Sequence, residues 1–210
     1  MSSRRHKVFV SYYHNDDQFF KDELIKMKFF DTSDYKIKSI FEDYSVGNGD
    51  IDDTYMTAES IRRTIRDQYM QQATVLILLC GQNTRKRKHI DWEIHTAMYD
   101  TDINPKMGIL VINLPSIRQS CRANNDREKQ LISPNATWVN LQTRKELEEA
   151  YPYMPERLLD NFEKGVCVSV VDWSSVQNNP EKLIELIDNA FQWKDINTYD
   201  HSRPLRRNNS

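Results

Sequence analysis

The sequence predicts an α/β fold, a flavodoxin-like open parallel sheet of five strands with helices on both faces and an insertion before the last strand. Three observations lead there. Five short segments rich in β-branched and aromatic residues recur along the chain, helical patterns separate them, and the two most apolar segments lack strict alternation, as strands covered on both faces do.

The strand segments are Lys7 to Ser11, Ile37 to Phe41, Thr74 to Cys80, Met107 to Asn113 and Val166 to Asp172. After the first, Asn15-Asp16-Asp17-Gln18 reads as a capped helix start, and Phe20, Leu24 and Met27 follow at i, i+4 and i+7. Thr57 reads as the cap of a second helix whose Ile61, Ile65 and Tyr69 share a face. A third helix, near His89 to Tyr99, sets Ile90, Ile94, Ala97 and Met98 on one stripe. The last begins at Asn179-Pro180, a cap followed by proline at the first helical position, and turns Leu183, Ile187 and Phe191 inward. Residues 115–165 break the rhythm with polar loops and one amphipathic piece, Arg144 to Tyr151. Residues 1–193 therefore read as a single domain containing that insertion. Residues 194–210 read as a polar tail carrying Arg203, Arg206 and Arg207, expected to fray or to cross to a partner.

Composition narrows the function classes. With 39% hydrophobic and 29% charged residues in 210, the chain can build one real core and is too apolar for a disordered polymer. Lys plus Arg number 29 against 31 for Asp plus Glu, so no overall basic field exists to bind nucleic acid or anionic lipid, and neither is an expected partner. The longest apolar runs fall far short of the ~20 residues of a membrane-spanning helix. The start, Met-Ser-Ser-Arg-Arg-His-Lys, has no signal-peptide core, and Cys80, Cys121 and Cys167 are scattered singly, so a reducing, cytoplasmic location is expected.

In open α/β sheets ligands bind beyond the carboxyl ends of the strands. Three stretches lie there: Ser11-Tyr12-Tyr13-His14-Asn15, then Glu42-Asp43-Tyr44 with the loop Ser45 to Thr54, then Gly81-Gln82-Asn83 leading toward Glu93. They are expected to converge on one rim. Glu93 sits beside Ile94 and Ala97 of the buried stripe, where a partly desolvated carboxylate could stabilise a developing cation or bind ribose hydroxyls. On spacing alone an exposed helical glutamate is the commoner outcome. Tyr12, Tyr13 and Tyr44 could stack on adenine or nicotinamide, or simply cover the rim, and Gly81 could be only a turn residue. The basic run Arg85-Lys86-Arg87-Lys88-His89 could grip phosphate, but such runs are more often solvated helix entrances. Asn48, Asp50, Asp52 and Glu59 fall at EF-hand positions, yet Asp53 stands where that loop requires glycine. His89 and Glu93 share a helical face without further ligands, so no metal site is expected.

An ordered series of motifs joins these stretches. Val8-Phe9-Val10-Ser11-Tyr12 precedes Asn15-Asp16-Asp17 and a helix; Phe41-Glu42-Asp43 precedes a glycine-containing loop; Thr74 to Cys80 precedes Gly81-Gln82-Asn83-Thr84 and a helix carrying Trp92-Glu93. The series resembles a bacterial TIR domain, most of all the stand-alone TIR proteins of Thoeris antiphage defence, well over residues 7–113 and more loosely over 166–191. The resemblance implies that Glu93 is catalytic and that Ser11 and Tyr12 line a nucleotide pocket. Tyr13, Asp43, Tyr44 and Gly81, at the same rim, complete the expected substrate-binding set. Tyr44 to Tyr55 resembles the mobile BB loop of the family. The implied reaction is cleavage of the nicotinamide to ribose bond of NAD, an activity of the NAD glycohydrolase or ADP-ribosyl cyclase kind. NAD is its substrate and no further cofactor is required. The glutamate would stabilise an oxocarbenium-like transition state. The product would be a cyclic ADP-ribose isomer or conjugate, a messenger to a separate effector, with a phage component as trigger and self-association through the BB-loop region. Two departures stand out: His89 lies four residues before Glu93 where many members carry Trp, and no Pro-Gly pair marks the BB loop. The alternative reading is a catalytically silent TIR-type module that works by self-association.

Overall fold

A computed structural model describes residues 5–45, 60, 63–102, 104–132 and 143–209. Strand β1 (Lys7–Ser11) leads into α1 (His14–Lys26), then β2 (Lys28–Asp31), β3 (Lys36–Ser39) and the two-residue β4 (Glu42–Asp43). A π-helical segment, Ile65–Met70, precedes β5 (Val75–Cys80), and α2 (Lys88–Met98) leads to β6 (Gly108–Asn113). Helices α3 (Asp126–Ile132), α4 (Arg144–Ala150) and α5 (Glu156–Glu163) occupy the stretch before β7 (Ser169–Asp172). Helices α6 (Trp173–Val176) and α7 (Pro180–Ile196) follow it.

The main sheet runs β4-β1-β5-β6-β7, with every neighbouring pair parallel. Counted in chain order, its strands lie 2-1-3-4-5, the flavodoxin-like arrangement, whose ligand crevice opens between the first and third strands. Here those are β1 and β5. Both β5 and β6 are buried at every position because helices cover both faces, which is why neither alternates. The pleat divides the side chains into two cores. Phe9, Leu76, Leu78 and Cys80 pack with Ile90 and Ile94 of α2 on one face. Val8, Val10, Ile77 and Leu79 pack with Leu183, Leu186 and Ile187 of α7 on the other. A Cβ on Gly108 would lie 2.0 Å from the Ala190 carbonyl oxygen, so the backbone of α7 rests directly on β6.

Local signals account for the helix starts. The Asn179 side chain accepts from the Lys182 N–H with proline in the first turn of α7, and α4 opens with a capping box between Thr143 and Glu146. Helix α1 begins earlier than its acidic run suggests. Tyr13 occupies the cap position without a side-chain cap, and Asn15, inside the first turn, donates to the Tyr13 hydroxyl instead.

Two expectations are corrected. The segment Ile37 to Phe41 is not the second strand of the sheet: Ile37 belongs to β3, which pairs antiparallel with β2 in a separate hairpin, while β4 supplies the sheet strand. Ile40 and Phe41 are buried in the crossing between hairpin and sheet, so the apolar signal is real but marks a junction. The described part of the tail packs on the domain. Tyr199 is buried and donates to the Met107 carbonyl at 2.9 Å, and Asn197 exchanges two hydrogen bonds with the Cys167 backbone. The expected cap Thr57 and the position Ile61 lie outside the described residues. Among the described residues no helix is long and apolar enough to cross a membrane.

Candidate active site

Ser11 closes β1, and the pleat turns it, like Phe9, toward the face covered by α2. Glu93 projects from α2 within the buried stretch that includes Ile90, Ile94 and Ala97. The two meet at the carboxyl end of the sheet, where Ser11 Oγ donates to Glu93 Oε2 at 2.6 Å. Ser11 is 1% and Glu93 9% exposed, so the solvated-helix alternative for Glu93 does not apply. Burial pushes the Glu93 carboxyl up to about 7, against the opposing pull of the Ser11 hydrogen bond. Near neutral pH this carboxyl can therefore act in either protonation state.

Tyr13 follows Ser11 by two and lies against the same core. The Arg87 guanidinium sits 3.6 Å from the centre of its ring. Tyr12, one residue out of phase, points to the opposite face. Its hydroxyl donates to Gln18 Oε1 at 2.7 Å, its ring stacks on His14 at 4.3 Å, and burial pushes its phenol up to about 12. The structure thus brings Ser11, Tyr13 and Glu93 to one side of the sheet and makes Tyr12 part of the other core. The period of two in residues 8–13 carries that distinction.

The remaining expected residues divide in the same way. Asp43 pairs with Lys21 of α1 at 2.9 Å and accepts from the Ser45 N–H and hydroxyl, while the Val10 N–H donates to Ser45 Oγ. The Gly81 N–H donates to Thr84 Oγ1, and a Cβ at Gly81 would lie 2.7 Å from Asp17 Oδ1. A side chain at Gly81 would displace the Asp17 carboxyl from that seat. Asn83 donates to Asp16 Oδ2 at 2.7 Å. The stretches after β1, β4 and β5 are therefore tied together through α1, as the expected common rim requires. Tyr44 is the exception. Its ring lies under the Lys7 ammonium and its hydroxyl faces Gln72, toward the amino ends of β1 and β5 and apart from Ser11 and Glu93. Of the expected BB loop, residues 46–55 lie outside the described residues.

Several participants carry no signal in the sequence. Asp17, which resembles an ordinary helix-start acid, is buried, and its Oδ2 has no hydrogen-bond partner. Burial, with the charge of Asp16, pushes its carboxyl up to about 6. The basic run is not a solvated helix entrance: Arg85 pairs with Glu156 and donates to the Pro152 carbonyl, and Arg87 lies on Tyr13. Behind Glu93, Arg157 of α5 donates to both Asp91 oxygens at 2.9 and 3.1 Å and to the carbonyls of Arg203 and Pro204. The Arg206 N–H also donates to Asp91, and Trp92 Nε1 donates to the Arg206 carbonyl. The tail is thus clasped to α2 immediately before Glu93. No periodic pattern signals contacts made by backbone carbonyls. Among the described residues, no group of three or more His, Cys, Asp and Glu could hold a metal ion.

The family model described as Thoeris protein ThsB, TIR-like domain, matches residues 9–119, which contain Ser11, Tyr13, Asp43, Gly81 and Glu93. No curated protein matches the chain.

Proposed function

The chain belongs to the Thoeris ThsB TIR-like family, whose members are TIR-type antiphage defence proteins, and from that premise we propose that it cleaves the nicotinamide to ribose bond of NAD. The released ADP-ribose moiety becomes a signalling nucleotide, a cyclic isomer or a conjugate, read by a separate effector. The observation that carries this reading is the buried Ser11 to Glu93 hydrogen bond at the carboxyl end of β1.

The chemistry follows from that pair. Heterolysis sends the bonding electrons to the pyridinium nitrogen, so nicotinamide leaves neutral and the ribosyl carbon takes the positive charge. A carboxylate in a water-poor site stabilises that charge far better than one in bulk water. Ser11 holds one carboxylate oxygen in place, so little reorganisation is needed as the charge develops. The nucleophile that captures the cation then loses a proton, and a carboxyl near neutrality is suited to accept it. Self-association through the BB-loop region and a phage component as trigger complete the proposal.

The test is chromatography of NAD incubated with the full chain at high concentration, with and without phage-infected lysate. Nicotinamide release that Glu93→Gln abolishes in a folded protein supports the reading. Intact NAD under every condition overturns it in favour of a silent self-associating module.

A further inference from the structure

Beside the Tyr13 edge of the rim, the start of α2, the start of α5 and the C-terminal tail enclose a cavity of about 230 Å³. Its charged lining comprises Arg85, Arg87, Asp91, Glu156, Arg203 and Arg206. Four arginines against two carboxylates leave an excess of positive charge, and both carboxylates are engaged. Asp91 is held by Arg157, and Glu156 receives Arg85 and Arg144. Arg203 is in turn paired with Asp160.

Arg87 differs from its neighbours. Among the described residues it has no carboxylate partner, and its Nε is buried without a hydrogen-bond acceptor. The ring of Tyr13 holds the guanidinium in one orientation. A planar fork fixed by stacking matches phosphate oxygens closely. The volume sets the size of the guest. It is below the roughly 300–1,000 Å³ of pockets that enclose whole drug-sized ligands, and suits one or two phosphoryl groups.

We propose that this pocket binds the pyrophosphate group of a nucleotide, with Arg87 as its principal ligand. Arg87 lies on the ring of Tyr13, two residues after Ser11, so this edge of the pocket adjoins the side of the sheet that holds Ser11 and Glu93, and the pyrophosphate of a dinucleotide cleaved at Glu93 is one source of the group. That source rests on the proposed NAD cleavage; a separate nucleotide could present the same group, and the binding itself does not depend on the reaction.

The test is calorimetric titration of inorganic pyrophosphate into the full chain. Saturable binding is expected, weakened at least tenfold by Arg87→Gln and to an intermediate degree by Arg87→Lys, which keeps the charge but loses the fork. Arg127→Gln removes the same charge from a side chain 84% exposed and paired with Glu185, and should leave binding unchanged. Glu93→Gln should also bind pyrophosphate normally, which separates this site from the cleavage chemistry. Absence of binding by the wild type, or equal weakening by Arg87→Gln and Arg127→Gln, overturns the proposal. A measurement on the wild type covers the case of a variant that does not fold: pyrophosphate should slow phenylglyoxal modification of Arg87 but not of Arg127, and equal protection overturns the site. Once binding is established, displacement of pyrophosphate by NAD and ADP-ribose assigns it to the substrate. Binding alongside saturating NAD assigns it to a second nucleotide. Either result supports the pocket.

Discussion

Asp91 and Arg157 form a buried two-pronged ion pair two residues ahead of Glu93. It joins α2 to α5, and Arg157 also holds the tail through two backbone carbonyls. The pair therefore fixes the part of α2 that carries Glu93 from behind, while Ser11 fixes its carboxyl from in front.

Removing one member should be costly, because the other is left charged and buried. Arg157→Met is expected to lower the unfolding free energy by about 3–5 kcal/mol. Urea denaturation measures the loss, and hydrogen exchange should show residues 203–206 released. Asp91→Leu combined with Arg157→Met should recover much of the stability. A single variant as stable as the wild type would mean that the pair is not what holds the tail.

Activity and the contribution of Glu93 to stability should move in opposite directions with pH. The folded Glu93 carboxyl keeps its proton up to about 7 because it is buried. The unfolded chain releases that proton near pH 4.5, so the folded state binds more protons in between. The contribution to stability is complete below about pH 4.5 and is lost as pH rises through 7. Glu93→Gln should therefore be more stable than the wild type at pH 8, by on the order of 3 kcal/mol for a shift of this size. NAD cleavage, which needs the carboxylate, should rise through the same interval in kcat/KM. Thermal denaturation and initial rates from pH 4 to 8 check both slopes, and a pH-independent stability difference between the two proteins would contradict the account.

Ser11→Ala removes one neutral hydroxyl donor from the carboxylate. The direct effect should be about 1.5–3 kcal/mol, the range for a hydrogen bond to a charged group, roughly a ten- to hundredfold loss in turnover. Because that hydrogen bond lowers the pKa of Glu93, its removal should also shift the rising limb of the pH–rate profile to higher pH. Lys86→Gln, at an exposed position, should change neither. A purely structural role for Ser11 would reduce activity without moving the limb.

If self-association through the BB-loop region governs the pocket, turnover per protomer should rise with protein concentration. Initial rates across a dilution series, read beside light scattering, measure this. A flat specific activity through the monomer range would exclude it.

The sheet, the strand-end position of Ser11 and the place of Glu93 at the edge of a buried stripe are legible in the sequence because each rests on a short-range pattern, whereas the contact between the two spans 82 positions. The apolar runs of β5 and β6 announce double coverage, Asn179-Pro180 announces α7, and the helical period leaves Glu93 beside the buried stripe. The hairpin was not legible. Lys28-Phe29-Phe30-Asp31 follows α1 after a single residue and continues its apolar rhythm, so nothing marks the change of period. Tyr12, directly after β1, packs on the face opposite Ser11 and Tyr13, as alternation alone indicates. Asp91 and Arg157 stand 66 positions apart, and the tail they hold is bound through main-chain oxygens that every sequence possesses.

The missing side chain at Gly108 has a consequence for anyone moving this domain between relatives. Helix α7 is seated on β6 backbone to backbone, so the last helix and the fourth sheet strand are shaped to each other. The stretch that the family model recognises, residues 9–119, ends before β7, α7 and Arg157. A graft cut there would bare the β6 edge to strand pairing with other chains and leave the Asp91 carboxylate without its counter-charge. The transplantable unit is larger than the recognisable one: an exchange of α2 that preserves the position of Glu93 has to carry α5 and the tail with it.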